Sequence, residues 1–209
     1  MSLERPATGR RGSVDLYWIP LGAGAHVVRV SGKLFEAASA LVARRPRRDL
    51  YHSALVIAAP GGHFVIEQAP VPDGNGQRRG VVAEGPVGMR WLGRFRVFRY
   101  EIRRWQDGRI PDINQAIGSP IGVSDDASVA GRILENLSSI PTPVWGRDEL
   151  GTGEMWNSNS VVSWVLTRSG VRTDAISPPP HGRAPGWDAG RVVAARGLSD
   201  DGRELRSAP

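Results

Sequence analysis

Two apolar runs set the pattern in the first half of the chain: YHSALVIA from Tyr51 to Ala58 and HFVIEQA from His63 to Ala69, with Pro60-Gly61-Gly62 between them. Apolar runs of this length separated by turn residues predict a β-hairpin. Other segments read as strands for the same reason: Val14–Ile19, closed by Pro20; residues 26–30; residues 80–84; and residues 95–105. In the last of these, Phe98, Tyr100 and Ile102 alternate with Arg99, Glu101 and Arg103, which predicts one apolar face and one solvated, ion-paired face. Helical spacing appears in residues 33–45, where Leu34, Ala37, Ala38, Leu41 and Val42 share a face that ends at Pro46. It recurs in residues 128–137, through Val129, Ile133 and Leu137.

The strongest boundary lies at MWNSNSVVSWVL, residues 155–166, where a polar cluster meets an apolar segment. Val161, Trp164 and Val165 recur at i, i+3 and i+4, with Val162 and Leu166 beside them, and predict a buried helix of about three turns. Asn157, Ser158 and Asn159 stand where side chains satisfy the unpaired N–H groups of a first turn. Gly170 supplies the stop. Beyond it, residues 176–187 are a proline-rich connection, residues 190–196 read as an edge strand, and residues 197–209 lack a core face and are expected to fray.

With 209 residues, 40% hydrophobic and 23% charged, the sequence describes a soluble globular chain: an N-terminal arm over 1–13, one domain over 14–196 and a C-terminal tail over 197–209. No apolar run is long enough to span a membrane. The opening MSLERPATGRRGS lacks the apolar stretch of a signal peptide, which makes a cytoplasmic location the default, with leaderless export as the alternative. A net charge of +6 favours anionic partners and permits peripheral contact with anionic surfaces. The arginines are dispersed without a nucleic-acid-binding module, so nucleic acid is not the expected partner. Zero cysteines exclude disulfides and thiol nucleophiles, and His26, His52, His63 and His181 lack metal-site spacing, so neither metal nor cofactor is expected.

His52 on one strand, Glu67 on the next and Asn157-Ser158-Asn159 opening a later buried helix form an order that resembles the circularly permuted papain-like superfamily, the NlpC-type hydrolases and acyltransferases. Their usual motif at the helix start is Asn-Cys-x-x-Phe; serine stands here where cysteine is expected. The resemblance implies an α+β fold, with an antiparallel sheet or partial barrel packed against the helix that carries the nucleophile position. It further implies acyl transfer on an ester, amide or peptide bond. In that scheme Ser158 is the nucleophile, His52 the general base and Glu67 the residue that orients the imidazole, while Asn157 and Asn159 meet substrate. Two alternatives stand beside it: a non-catalytic descendant that binds a lipid, peptide or cell-wall fragment in the same cleft, and a cysteine hydrolase whose cysteine has been replaced by serine. Each residue also has a purely structural role open to it: Ser158 as a cap, His52 as a hydrogen-bonded strand residue, Glu67 as the partner of an arginine.

Overall fold

β-branched or aromatic residues recur in every segment that pairs antiparallel. β1 (Val14–Pro20), β2 (Asp49–Ala59), β3 (Gly62–Pro70), β4 (Val81–Pro86), β5 (Arg99–Gln106) and β6 (Ile121–Ser124) form an antiparallel sheet in the order β4-β5-β3-β2-β1-β6. The two-residue β7 (Gly182–Arg183) runs parallel to the start of β2. The computed structural model describes residues 12–21, 48–71, 80–110 and 112–207, with side chains as far as Ser199. The strand expected at 26–30, the helix expected at 33–45 and His26 therefore lie outside the described residues. Three α-helices complete the mixed α/β architecture among them: α1 (Ala127–Asn136), α2 (Ser158–Arg168) and α3 (Trp187–Ser207).

Because successive side chains on a strand point to opposite faces, the sheet has two distinct apolar sides. On one, Leu16 and Trp18 of β1, Tyr51, Leu55 and Ile57 of β2, Ile66 of β3 and Ile102 of β5 pack with Val161, Val162, Val165 and Leu166 of α2. On the other, Ile19, Ala54, Val65 and Ile110 form a smaller cluster flanked by Tyr17, Val56 and Trp105. β1 and β2 stay in unbroken register from Val14 opposite Ile57 to Pro20 opposite Tyr51, so the alternation holds along the whole pair.

α2 is the central helix, with every residue from Ser158 to Leu166 buried. It is bounded as expected: Asn157 caps its start, and Gly170 takes φ +85° just beyond its end, where a side chain would be strained. Covering its outer side, α3 approaches so closely that a Cβ at Gly190 would overlap the Ser160 carbonyl and the Ser163 hydroxyl. Ser160 Oγ donates to Gly186 O at 2.8 Å and Ser163 Oγ to Trp187 O at 2.6 Å, so small polar residues knit the two helices.

Two expectations need correction. Residues 190–196, expected as an edge strand, are helical: Trp187, Gly190 and Ala194 fall on one helical face, a spacing that outweighs the strand preference of Val192-Val193. The same helix runs on past residue 196 to Ser207. Finally, residues 95–98 are not strand. Two short 3₁₀ turns, Arg90–Arg94 and Arg96–Phe98, occupy the β4–β5 connection, and pairing resumes at Arg99. Among the described residues no helix is long and apolar enough to cross a membrane.

Candidate functional site

The start of α2 is tightly organised by its own sequence. Asn157 Oδ1 accepts from Asn159 N at 2.9 Å and Ser160 N at 3.4 Å, while Ser160 Oγ accepts from Asn157 N at 3.1 Å. This reciprocal capping box satisfies first-turn donors and contributes about 1 kcal/mol. Asn157 Nδ2 also donates to Pro185 O at 2.8 Å, tying the cap to the entry of α3. Thus Asn157, and not Ser158, is the cap.

Asn159 faces the sheet. Its Oδ1 accepts from Ser53 Oγ at 2.9 Å, and its Nδ2 donates to Tyr51 O and to Pro185 O, each at 2.9 Å. It is 2% exposed. Both asparagines expected to meet substrate thus spend their amide groups on the protein itself, with both Nδ2 protons of Asn159 committed.

Ser53 reaching the first turn of α2 decides where His52 points. Tyr51, Ser53 and Leu55 share the α2 side of β2, so His52 projects from the opposite side, beside Ala54 and Val56 of the smaller cluster. The carboxylate that acts on it there is Asp112, one residue from Ile113, which packs against that same cluster. Burial pushes the His52 imidazole down to about 4, an effect that Asp112 partly opposes. The sheet therefore stands between His52 and Ser158. A base of pKa near 4 is, moreover, poorly matched to proton abstraction near neutral pH.

Glu67 lies on the His52 side of β3 but is bound elsewhere. Its Oε1 pairs with Arg103 Nη1 at 2.9 Å, directly across the ladder. Arg103 also donates through Nε to Glu101 Oε2 at 2.9 Å and through Nη2 to Pro70 O at 3.2 Å. Arg103 and Glu101 are both buried. Where the face of β5 is expected to be solvated, Glu101 and Arg103 instead form a buried ionic cluster with Glu67. The expected Ser158, His52, Glu67 set is accordingly not brought together: His52 and Glu67 share a face, Glu67 serves Arg103, and Ser158 sits on the other side. The hydroxyl of Ser158 forms no hydrogen bond among the described residues.

A groove of about 1190 Å³ lies at a different place, between the β4–β5 connection and the segment 145–149. Trp145 is sutured into it: its N–H donates to Pro86 O at 2.9 Å, its carbonyl accepts from Gly88 N at 3.3 Å, and its ring meets Tyr100 edge-on at 5.8 Å. Val87, Val97 and Phe98 add apolar surface, and Arg99 and Arg147 add cationic surface. Arg147 donates through Nε to Gly88 O. Two acidic side chains at the rim are occupied. Asp148 accepts from Thr152 N at 2.7 Å and Gly153 N at 2.8 Å, bonds that hold its carboxyl below the usual range. Glu149 accepts from Val144 N at 2.9 Å and pairs with Arg90 at 2.8 Å. What remains open to a ligand is aromatic and cationic. Trp145, Arg147, Asp148 and Glu149 fall in no sequence motif, and the available signal is the alternation of arginine with aromatic and aliphatic residues from Met89 to Arg99. No metal-binding cluster of histidine and carboxylates occurs among the described residues. No protein-family model, curated protein or solved structure matches this chain.

Proposed function

We propose that the protein is a non-catalytic binding module, a descendant of the permuted papain-like arrangement, whose groove between the β4–β5 connection and residues 145–149 holds an amphiphilic ligand with an anionic group. The observation that carries this reading is the β1–β2 register, which puts Ser53 against α2 and turns His52 away from Ser158. A serine hydroxyl needs a base within hydrogen-bond reach to attack an acyl carbon, and among the described residues no base is hydrogen-bonded to Ser158. The ligand expected in the same cleft as Ser158 moves to the groove instead. There Trp145, Phe98 and Val97 suit an apolar chain, and Arg147 suits its acidic end.

The test uses a long-chain fatty acid as an anionic amphiphile, titrated against the full chain by calorimetry. Saturable binding is expected. Trp145→Ala should weaken it about tenfold or more, Arg147→Gln should weaken it with little effect on the fold, and Ser158→Ala should leave it unchanged. Ester hydrolysis lost in Ser158→Ala, or fatty-acid binding indifferent to both groove variants, would overturn the reading.

A further inference from the structure

Outside the groove's interior, the β4–β5 connection forms a lobe with an unusual surface. Five of the nine large hydrophobic side chains exposed among the described residues fall within positions 89–98 of it: Met89, Trp91, Phe95, Val97 and Phe98, with Val97 at 72% exposure. Arginines alternate with them at 90, 94, 96 and 99, and no acidic residue interrupts the sequence between Glu84 and Glu101. The Arg94 guanidinium lies 5.2 Å from the Trp91 ring centroid and 4.8 Å from that of Phe95, so cation and aromatics present one composite surface. Arg90 and Arg99 have carboxylate partners in Glu149 and Glu84, whereas Arg94 and Arg96 pair with no described carboxylate.

We infer that this lobe docks the protein on an anionic lipid surface, with Trp91, Phe95 and Val97 entering the interface and Arg94 and Arg96 meeting the head groups. Tryptophan and arginine suit the head-group layer, and apolar side chains at a protruding turn suit the acyl boundary beneath it. Three other occupants fit less well. A second copy would bring two cationic lobes together. Single-stranded nucleic acid would draw on stacking rings, but Met89 and the most exposed residue, Val97, have no stacking face. An acidic protein would account for the arginines but leaves the protruding aliphatic tip without a hydrophobic layer to enter. The inference shares Val97 with the groove's lining and otherwise rests on side chains outside it, those of Trp91, Arg94, Phe95 and Arg96.

The test is co-sedimentation of the full chain with phosphatidylcholine vesicles, with and without phosphatidylserine. Binding is expected only to the anionic vesicles, reduced by salt. Arg94→Gln with Arg96→Gln should weaken it about thirtyfold, whereas removing the exposed Arg104 and Arg109, which lowers net charge equally, should weaken it far less. Trp91→Ser with Phe95→Ser, neither of which lines the groove, should abolish it while the thermal midpoint holds, because both side chains are exposed. A blue shift of tryptophan emission on anionic vesicles, lost in Trp91→Phe, would locate the contact at the lobe. Equal binding to both vesicle types, equal loss in the two arginine pairs, or binding to a single-stranded oligonucleotide without binding to vesicles would overturn the inference.

Discussion

Arg103→Ala is expected to lower folding stability by about 3–5 kcal/mol, the range found when one partner is removed from a buried ionic cluster. Arg103 is 3% exposed and holds both Glu67 and Glu101, so its loss strands two carboxylates in an interior where each keeps little access to water. Glu67→Gln should cost considerably less, because Arg103 keeps Glu101 and an amide oxygen still accepts its Nη1 proton. Urea unfolding with an unchanged slope is the measurement, so that the midpoint alone reports the difference. A loss below about 1 kcal/mol in Arg103→Ala would mean that the cluster is hydrated and that β5 has the solvated face its sequence pattern predicts.

Acidification from about pH 6.5 to about pH 4 should weaken the fold through His52. Its folded-state pKa is about 4 against an ordinary value of 6.5, chiefly because burial penalises the imidazolium. Between those values the unfolded chain binds a proton that the folded chain does not. Stability is therefore complete above pH 6.5 and declines as pH falls toward 4, by up to about 3 kcal/mol from this residue. Carboxylates also begin to titrate in that window, so the quantity to measure is the difference between wild type and His52→Gln as a function of pH. That difference should change across pH 6.5 to 4 and flatten on either side. A difference curve that is flat throughout would show that His52 ionises as it does in the unfolded chain.

Much of the scaffold was legible because its signals are local. The cap, the buried face and the glycine stop of α2 lie within fourteen residues, from Asn157 to Gly170, and the β2–β3 hairpin is defined by a single turn. Where local signals competed, the reading failed. Val192-Val193 suggested a strand, but the spacing of Trp187, Gly190 and Ala194 against α2 prevailed. The alternation in β5 was read correctly as two faces, yet nothing local revealed that the charged one would be covered.

The expected catalytic set is not brought together for a sharper reason. Chain order places His52 before Ser158, but the strand alternates, and a shift of one position moves a side chain through the sheet. Ser53, next to His52, is the residue that reaches α2. Only the cross-strand register and the Ser53–Asn159 hydrogen bond reveal that, and both join positions distant in sequence. The groove escaped notice for a related reason: its walls come from residues 87–99 and 145–149, brought together by backbone pairing between Pro86, Gly88 and Trp145.

Thiol reactivity at position 158 tests the central claim, that the sheet separates His52 from Ser158, most directly. Ser158→Cys places a thiol at the first turn of α2, where the helix terminus alone promotes ionisation to some extent and a neighbouring imidazole would add much more. The measurement is the rate of iodoacetamide alkylation at pH 6 in Ser158→Cys and in Ser158→Cys with His52→Ala. Equal rates in the two proteins are the result this structure predicts. A rate that falls when His52 is removed would contradict it, by showing that imidazole and thiol meet on one face of the sheet.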